Sequence, residues 1–191
     1  RQTNPGLAAQ IRLVPPVVAQ QLRLVETQDD LDETLRGLYF DDTAQDTARF
    51  LFLPVNNGDG GLFGGTHWSL LFVDRGHPGE PQAHHYDSLQ GFDRLGIAGE
   101  LAGRLGVQDQ YWDGQMAQQA NGYDCGVSVL AATRELAIRL ANRQAPEAGS
   151  PLLGDVLGGR PALPSRVRGG AHNPRGGSQP ERRRSGEAAT P

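Results

Sequence analysis

The chain contains no lysine; its 18 basic residues are all arginine. Together with 26 glycines and 13 prolines, this points to a GC-rich, bacterial-looking coding sequence and excludes little about function. Cysteine occurs once, at Cys125. No intramolecular disulfide can form, so the chain is not a stapled secreted scaffold, and the thiol belongs in a reducing, cytoplasmic-type compartment. No apolar run approaches the roughly 20 residues that a bilayer-spanning helix needs. The opening RQTNPGLAAQ lacks the basic stretch and apolar core of a signal peptide, and the chain reads as soluble, without a membrane partner.

A surplus of positive charge is also missing from the body of the chain. Residues 1–159 carry 11 arginines against 20 acids, whereas residues 160–191 carry 7 arginines against 2. An acidic body with a basic tail argues against nucleic acid as the main partner, because phosphate binding needs a positive face on the folded part. The tail is Pro, Gly, Ser and Arg with few large apolar residues, too little to offset the entropy of ordering it. It is expected to be disordered, its Glu181–Arg184 cluster being either solvated tail or an import or anionic-surface element. The 191 residues suit one domain, expected over 1–150.

What remains is a mixed pattern. Residues 27–40 place acids in a first turn and Leu31, Leu35 and Leu38 at helical spacing, predicting an amphipathic helix. Residues 49–55 and 68–74 are short apolar runs bounded by turn residues, predicting buried strands, and 82–88 is a weaker third. Residues 92–105 look helical despite interior glycines. A longer helix is predicted over 124–144, with Val129, Leu136 and Leu140 on its buried stripe. The order of elements points to α and β layers packed together.

Cys125 then falls in the first turn of the last helix. A thiolate is the reactive form of cysteine, and a helix N-terminus and a nearby imidazolium both favour it. Of the five histidines, His172 lies in the tail and His77 in a Gly/Pro turn, where both are expected to be exposed bystanders. His67 starts a predicted strand after a glycine-rich loop, and Asp87 ends the next; strands ending at one edge bring such side chains within hydrogen-bond reach. A Cys–His–Asp arrangement follows, as does a plainer reading: a lone cysteine is most often a small buried hydrophobe, and an Asp at a strand end a turn former. Metal is not expected, since His84 and His85 are strand neighbours facing opposite ways and one cysteine offers no ligand pair at zinc spacing.

Three ordered blocks, GGTHWSLLFV at 64–73, HHYDSL at 84–89 and QQANGYDCGV at 118–127, resemble the Ulp1/SENP family of cysteine proteases, which release SUMO, NEDD8 and similar modifiers from their conjugates. The NEDD8-specific branch is especially similar, and the resemblance runs from Val14 to Ala141. It implies a papain-like α+β fold, a mixed β-sheet flanked by helices with the nucleophile at a helix N-terminus. It also implies that Cys125 is the nucleophile, His67 the general base, and Asp87 the residue that fixes the imidazole tautomer. Gln119 takes the place of the oxyanion-hole glutamine, acting with the backbone N–H of Cys125. Trp68 matches the tryptophan flanking the substrate's terminal Gly-Gly, and Asp124 and Gly126 flank the cysteine at the substrate cleft. The resemblance implies no cofactor, a monomer, and SUMO- or NEDD8-like modifiers and their conjugates as partners.

The family's opening Trp-Leu-Asn-Asp segment has no match here, so the N-terminal part of the domain is expected to be truncated. The composition suggests a bacterial effector acting in a host cytoplasm or nucleus. Two other readings stand beside proteolysis: acetyl transfer, as in a related clan of effectors, and a non-catalytic module that binds a ubiquitin-like protein.

Overall fold

The computed structural model describes residues 4–58, 64–77, 80–89 and 96–143. Helix α1 (Pro5–Gln10) leads into strand β1 (Ile11–Leu13), then α2 (Pro16–Leu24) and α3 (Gln28–Tyr39). Strands β2 (Phe50–Asn56), β3 (Trp68–Asp74) and β4 (Gln82–Tyr86) follow, then α4 (Ile97–Arg104), a 3-10 turn at Gln108–Gln110, β5 (Tyr111–Gly114) and α5 (Cys125–Arg143). The five strands form one sheet in sequence order. β2 and β4 each run antiparallel to the central β3, while the outer strands β1 and β5 run parallel to β2 and β4 respectively.

Both faces of the central strands are covered, so β2 and β3 read as continuous apolar runs rather than alternating ones. Leu51, Leu53, Leu71 and Val73 face α2, α3 and α4 in one core. Phe50, Phe52, Leu70 and Phe72 face α5 in the other, where Val129, Ala132, Leu136 and Leu140 form the buried stripe of that helix. Burying one such side chain contributes about 1.5–3 kcal/mol, and these two layers fix the strand ends that carry the site.

Helices α2 and α3 have a local reason to start where they do. In α3 the Thr27 hydroxyl accepts the Asp30 N–H at 3.2 Å, with Asp29 and Asp30 in the first turn, and Leu31 and Leu38 are buried as the spacing predicts. The α1–β1–α2 entry was not predicted. Pro15 and Pro16 look like a break, but Pro16 sits in the first turn of α2, where its missing N–H costs nothing. Helix α4 forms despite two internal glycines because Ile97, Ala98, Leu101 and Ala102 are buried against the first core. The predicted helix over 92–105 begins in residues outside the described ones, as does the whole basic tail. Among the described residues no helix is long and apolar enough to cross a membrane.

Candidate active site

The site forms where the N-terminal end of β3 meets the C-terminal end of β4. His67 stands just before β3 and Asp87 just after β4. The His67 Nε2 lies 2.6 Å from Asp87 Oδ1, and both side chains are largely buried. The same Asp87 oxygen accepts the Leu89 N–H at 2.9 Å. Two cross-strand pairs lean the same way across these strands, for the buried Ser69 hydroxyl lies 2.8 Å from His85 Nε2. His85 thus points into one face and His84 towards Phe72 on the other, as strand alternation requires.

The backbone of His67 is clamped by the loop after β2. Asn57 Oδ1 accepts the N–H groups of Thr66 and His67 at 2.8 and 2.9 Å, and Asn56 Nδ2 donates to the His67 carbonyl at 3.2 Å. Gly65 is required by this packing: a Cβ there would lie 2.0 Å from Asn56 Oδ1 and 2.3 Å from the Gly58 nitrogen. From α2 the buried Arg23 guanidinium donates to the carbonyls of Asn56 and Gly58, tying the first core to the same loop. In the sequence this loop signals only a turn, and Arg23 carries no local mark of its role.

Cys125 is a free thiol, 5% exposed, and the first residue of α5. The turn before it is built by Asn121, whose Oδ1 accepts the N–H groups of Tyr123 and Asp124, both at 3.0 Å, while its Nδ2 donates to Asp124 Oδ2 at 2.6 Å. Asp124 in turn accepts the Ser128 N–H on its carbonyl, opening the helix. The N-terminal end of α5 therefore presents the sulfur where the helix dipole favours negative charge.

Gln119 is held between Ser88 and Asn121. Its N–H donates to the Ser88 carbonyl at 2.8 Å, its Oε1 accepts the Ser88 hydroxyl at 2.6 Å, and its Nε2 donates to the Asn121 carbonyl at 2.6 Å. Gln118 donates to the Asp87 carbonyl at 3.0 Å. These bonds link the Gln118–Gln119 segment to the strand end carrying Asp87. In the sequence the only signal of Ser88, directly after Asp87, and of Asn121, between Gln119 and Cys125, is a short polar side chain of the kind that caps turns.

Trp68 and Gly126 line an apolar groove of about 350 Å³ with Leu13, Pro16, Phe52 and Leu130. Its walls include the sequence neighbours of His67 and Cys125. Among the described residues no group of three or more His, Cys, Asp or Glu side chains converges as a metal site would need. His77, expected to be exposed, is half-buried, with its Nδ1 enclosed and unbonded. It lies near enough to His84 to help burial lower the His84 pKa to about 4.

No family model matches the chain. Individual proteins do. NEDD8-specific protease 1 of Schizosaccharomyces pombe is 33% identical over 104 residues, covering 52% of this chain and 24% of that protein. Sentrin-specific protease 8 of Rattus norvegicus is 32% identical over 111 residues, covering 55% and 49%. The solved structure of the Xanthomonas campestris effector protein XopD bound to ubiquitin superposes with a TM-score of 0.62 at 28% identity, covering 78% of this chain and 71% of that one. The fold and the relatives are those of Ulp1/SENP-type proteases. The mixed sheet with flanking helices is thus the Ulp1-like architecture, and the matched region spans at most about half of these two curated relatives.

Proposed function

We propose that the chain is the catalytic core of a cysteine isopeptidase that removes a ubiquitin-like modifier after its C-terminal Gly-Gly. The observation carrying this reading is the 2.6 Å bond from His67 Nε2 to Asp87 Oδ1 at a strand edge, in a fold whose helix α5 opens with the single cysteine. With Nε2 committed to the carboxylate, Nδ1 is the ring nitrogen that serves the sulfur, and Asp87 sets that tautomer.

In the reaction the Cys125 thiolate attacks the carbonyl carbon of the terminal glycine. The resulting oxyanion receives the Cys125 backbone N–H and the second N–H of the Gln119 carboxamide. Collapse breaks the C–N bond, His67 gives its proton to the departing amine, and a thioester remains. Water then gives a proton to His67 and attacks the thioester, releasing the modifier's carboxylate and restoring the thiolate. Trp68 narrows the approach so that only residues without side chains reach the sulfur, which selects Gly-Gly by exclusion. Asp124 and Gly126 bound the cysteine on either side, Gly126 leaving room for close approach of the substrate chain.

The relatives are named for NEDD8 and sentrin, and the solved neighbour is an effector bound to ubiquitin. These names support a ubiquitin-like modifier as partner and an effector acting inside a host cell. The test is turnover of SUMO, NEDD8 and ubiquitin carrying a C-terminal fluorogenic amide. Hydrolysis of at least one by the wild-type chain, lost in Cys125→Ala, supports the proposal. Binding without hydrolysis, equal in wild type and Cys125→Ala, refutes it in favour of a binding module.

A further inference from the structure

We infer that Ser88 is a positioning residue that sets which end of the Gln119 carboxamide faces the nucleophile; the inference rests on the proposed reaction and adds a residue to it. A carboxamide has one donor end and one accepting end of nearly the same shape, and its last torsion is soft. Its partners decide which way it points. The Asn121 carbonyl, 2.6 Å from Nε2, can only accept and so takes the donor end. The Ser88 hydroxyl, 2.6 Å from Oε1, could serve either end, but with Nε2 already assigned it must donate to the oxygen. One Nε2 hydrogen is then used by Asn121, and the second is the one available to an oxyanion.

The lock depends on Ser88 for two reasons. Ser88 is 1% exposed, so bulk water does not replace a lost hydroxyl donor. Without it, Oε1 is left without that partner, and the reversed amide, which puts its oxygen where negative charge develops, becomes more accessible. The placement also couples two tasks. Asp87 follows β4 directly and Ser88 lies in the bend after it, where Asp87 reaches His67 while Ser88 reaches Gln119. One dipeptide at the end of β4 thus orients both the general base and the oxyanion donor.

Ser88→Ala is expected to lower kcat about 3- to 10-fold, the weight of one neutral hydrogen bond, with KM unchanged. Removal of the donor itself in Gln119→Ala should cost about 10²- to 10³-fold. Because Ser88 acts through Gln119, Ser88→Ala should add nothing in a Gln119→Ala background, and Ser88→Thr, which keeps the hydroxyl, should restore the rate. An equal further loss in that background, or a change in KM alone, overturns the inference. A second readout needs no turnover: the Gln119 side-chain amide protons in an NMR spectrum should be inequivalent and protected in the wild type and lose that protection in Ser88→Ala. Unchanged Gln119 amide signals overturn the lock. Absent turnover in the wild type with the signals responding as expected refutes the proposed reaction and leaves the lock standing.

Discussion

Replacing Asp87 separates charge from geometry at the centre of the site. The carboxylate oxygen that meets His67 Nε2 at 2.6 Å also accepts the Leu89 N–H at 2.9 Å. In Asp87→Asn the Leu89 N–H selects the carbonyl end of the new amide, so an acceptor still faces Nε2 and the tautomer is kept. Only the charge assistance is lost. Hydrogen bonds to charged groups contribute about 1.5–3 kcal/mol and neutral ones about 0.5–1.5, so the difference is about 1–1.5 kcal/mol, or about 5- to 13-fold in rate. Asp87→Ala removes the acceptor altogether and should cost about 13- to 150-fold. By contrast, an asparagine that turns its NH₂ to the histidine enforces the wrong tautomer, a defect worth about 10⁴-fold in a serine protease triad. The assay is kcat/KM on the fluorogenic modifier substrate at neutral pH, with circular dichroism to confirm folding. A loss in Asp87→Asn as large as that in Asp87→Ala would refute the reasoning, because the Leu89 N–H would then not control the amide.

Three further outcomes follow from the packing. Gly114→Ala places a Cβ 2.3 Å from Tyr86 Cε1 in the second core, and overpacking of this kind should cost about 1–3 kcal/mol, read as a lower Tm. Asn121→Ala strips the acceptor from the Tyr123 and Asp124 N–H groups before α5 and should lower stability by about 1 kcal/mol and kcat with it, measured by denaturant unfolding and turnover. His84 has its pKa lowered from 6.5 to about 4, first by burial and then by His77. The unfolded chain therefore binds more protons between those values, so stability falls as pH drops from about 6.5 towards 4, by on the order of 2 kcal/mol. Melting curves at pH 7 and pH 5 should show the loss in the wild type and a flatter response in His84→Phe.

The central sheet and the closing helix were legible because both signals are local: short apolar runs between turn residues, and a 3.6-residue stripe through Val129, Leu136 and Leu140. The α1–β1–α2 entry was not, since tertiary burial and a proline in a first turn overrode what two adjacent prolines suggest. In the site, the proximity of His67 and Asp87 followed from strand ends sharing an edge. The loop that holds His67 did not, because Asn56, Asn57 and Arg23 act through backbone groups distant in sequence. Ser88 and Asn121 were likewise hidden: their partners become visible only once the segment before α5 is laid against the end of β4.

The claim that Cys125 is the nucleophile of a modifier-specific protease is tested most directly by modifier probes bearing a C-terminal electrophile, with the adduct mapped by mass spectrometry. The account predicts a one-to-one adduct at Cys125 with at least one Gly-Gly-ended modifier, lost in Cys125→Ala and strongly slowed in His67→Ala. If no modifier probe is captured while a small alkylating agent labels Cys125 only as slowly as an ordinary buried thiol, the account is contradicted.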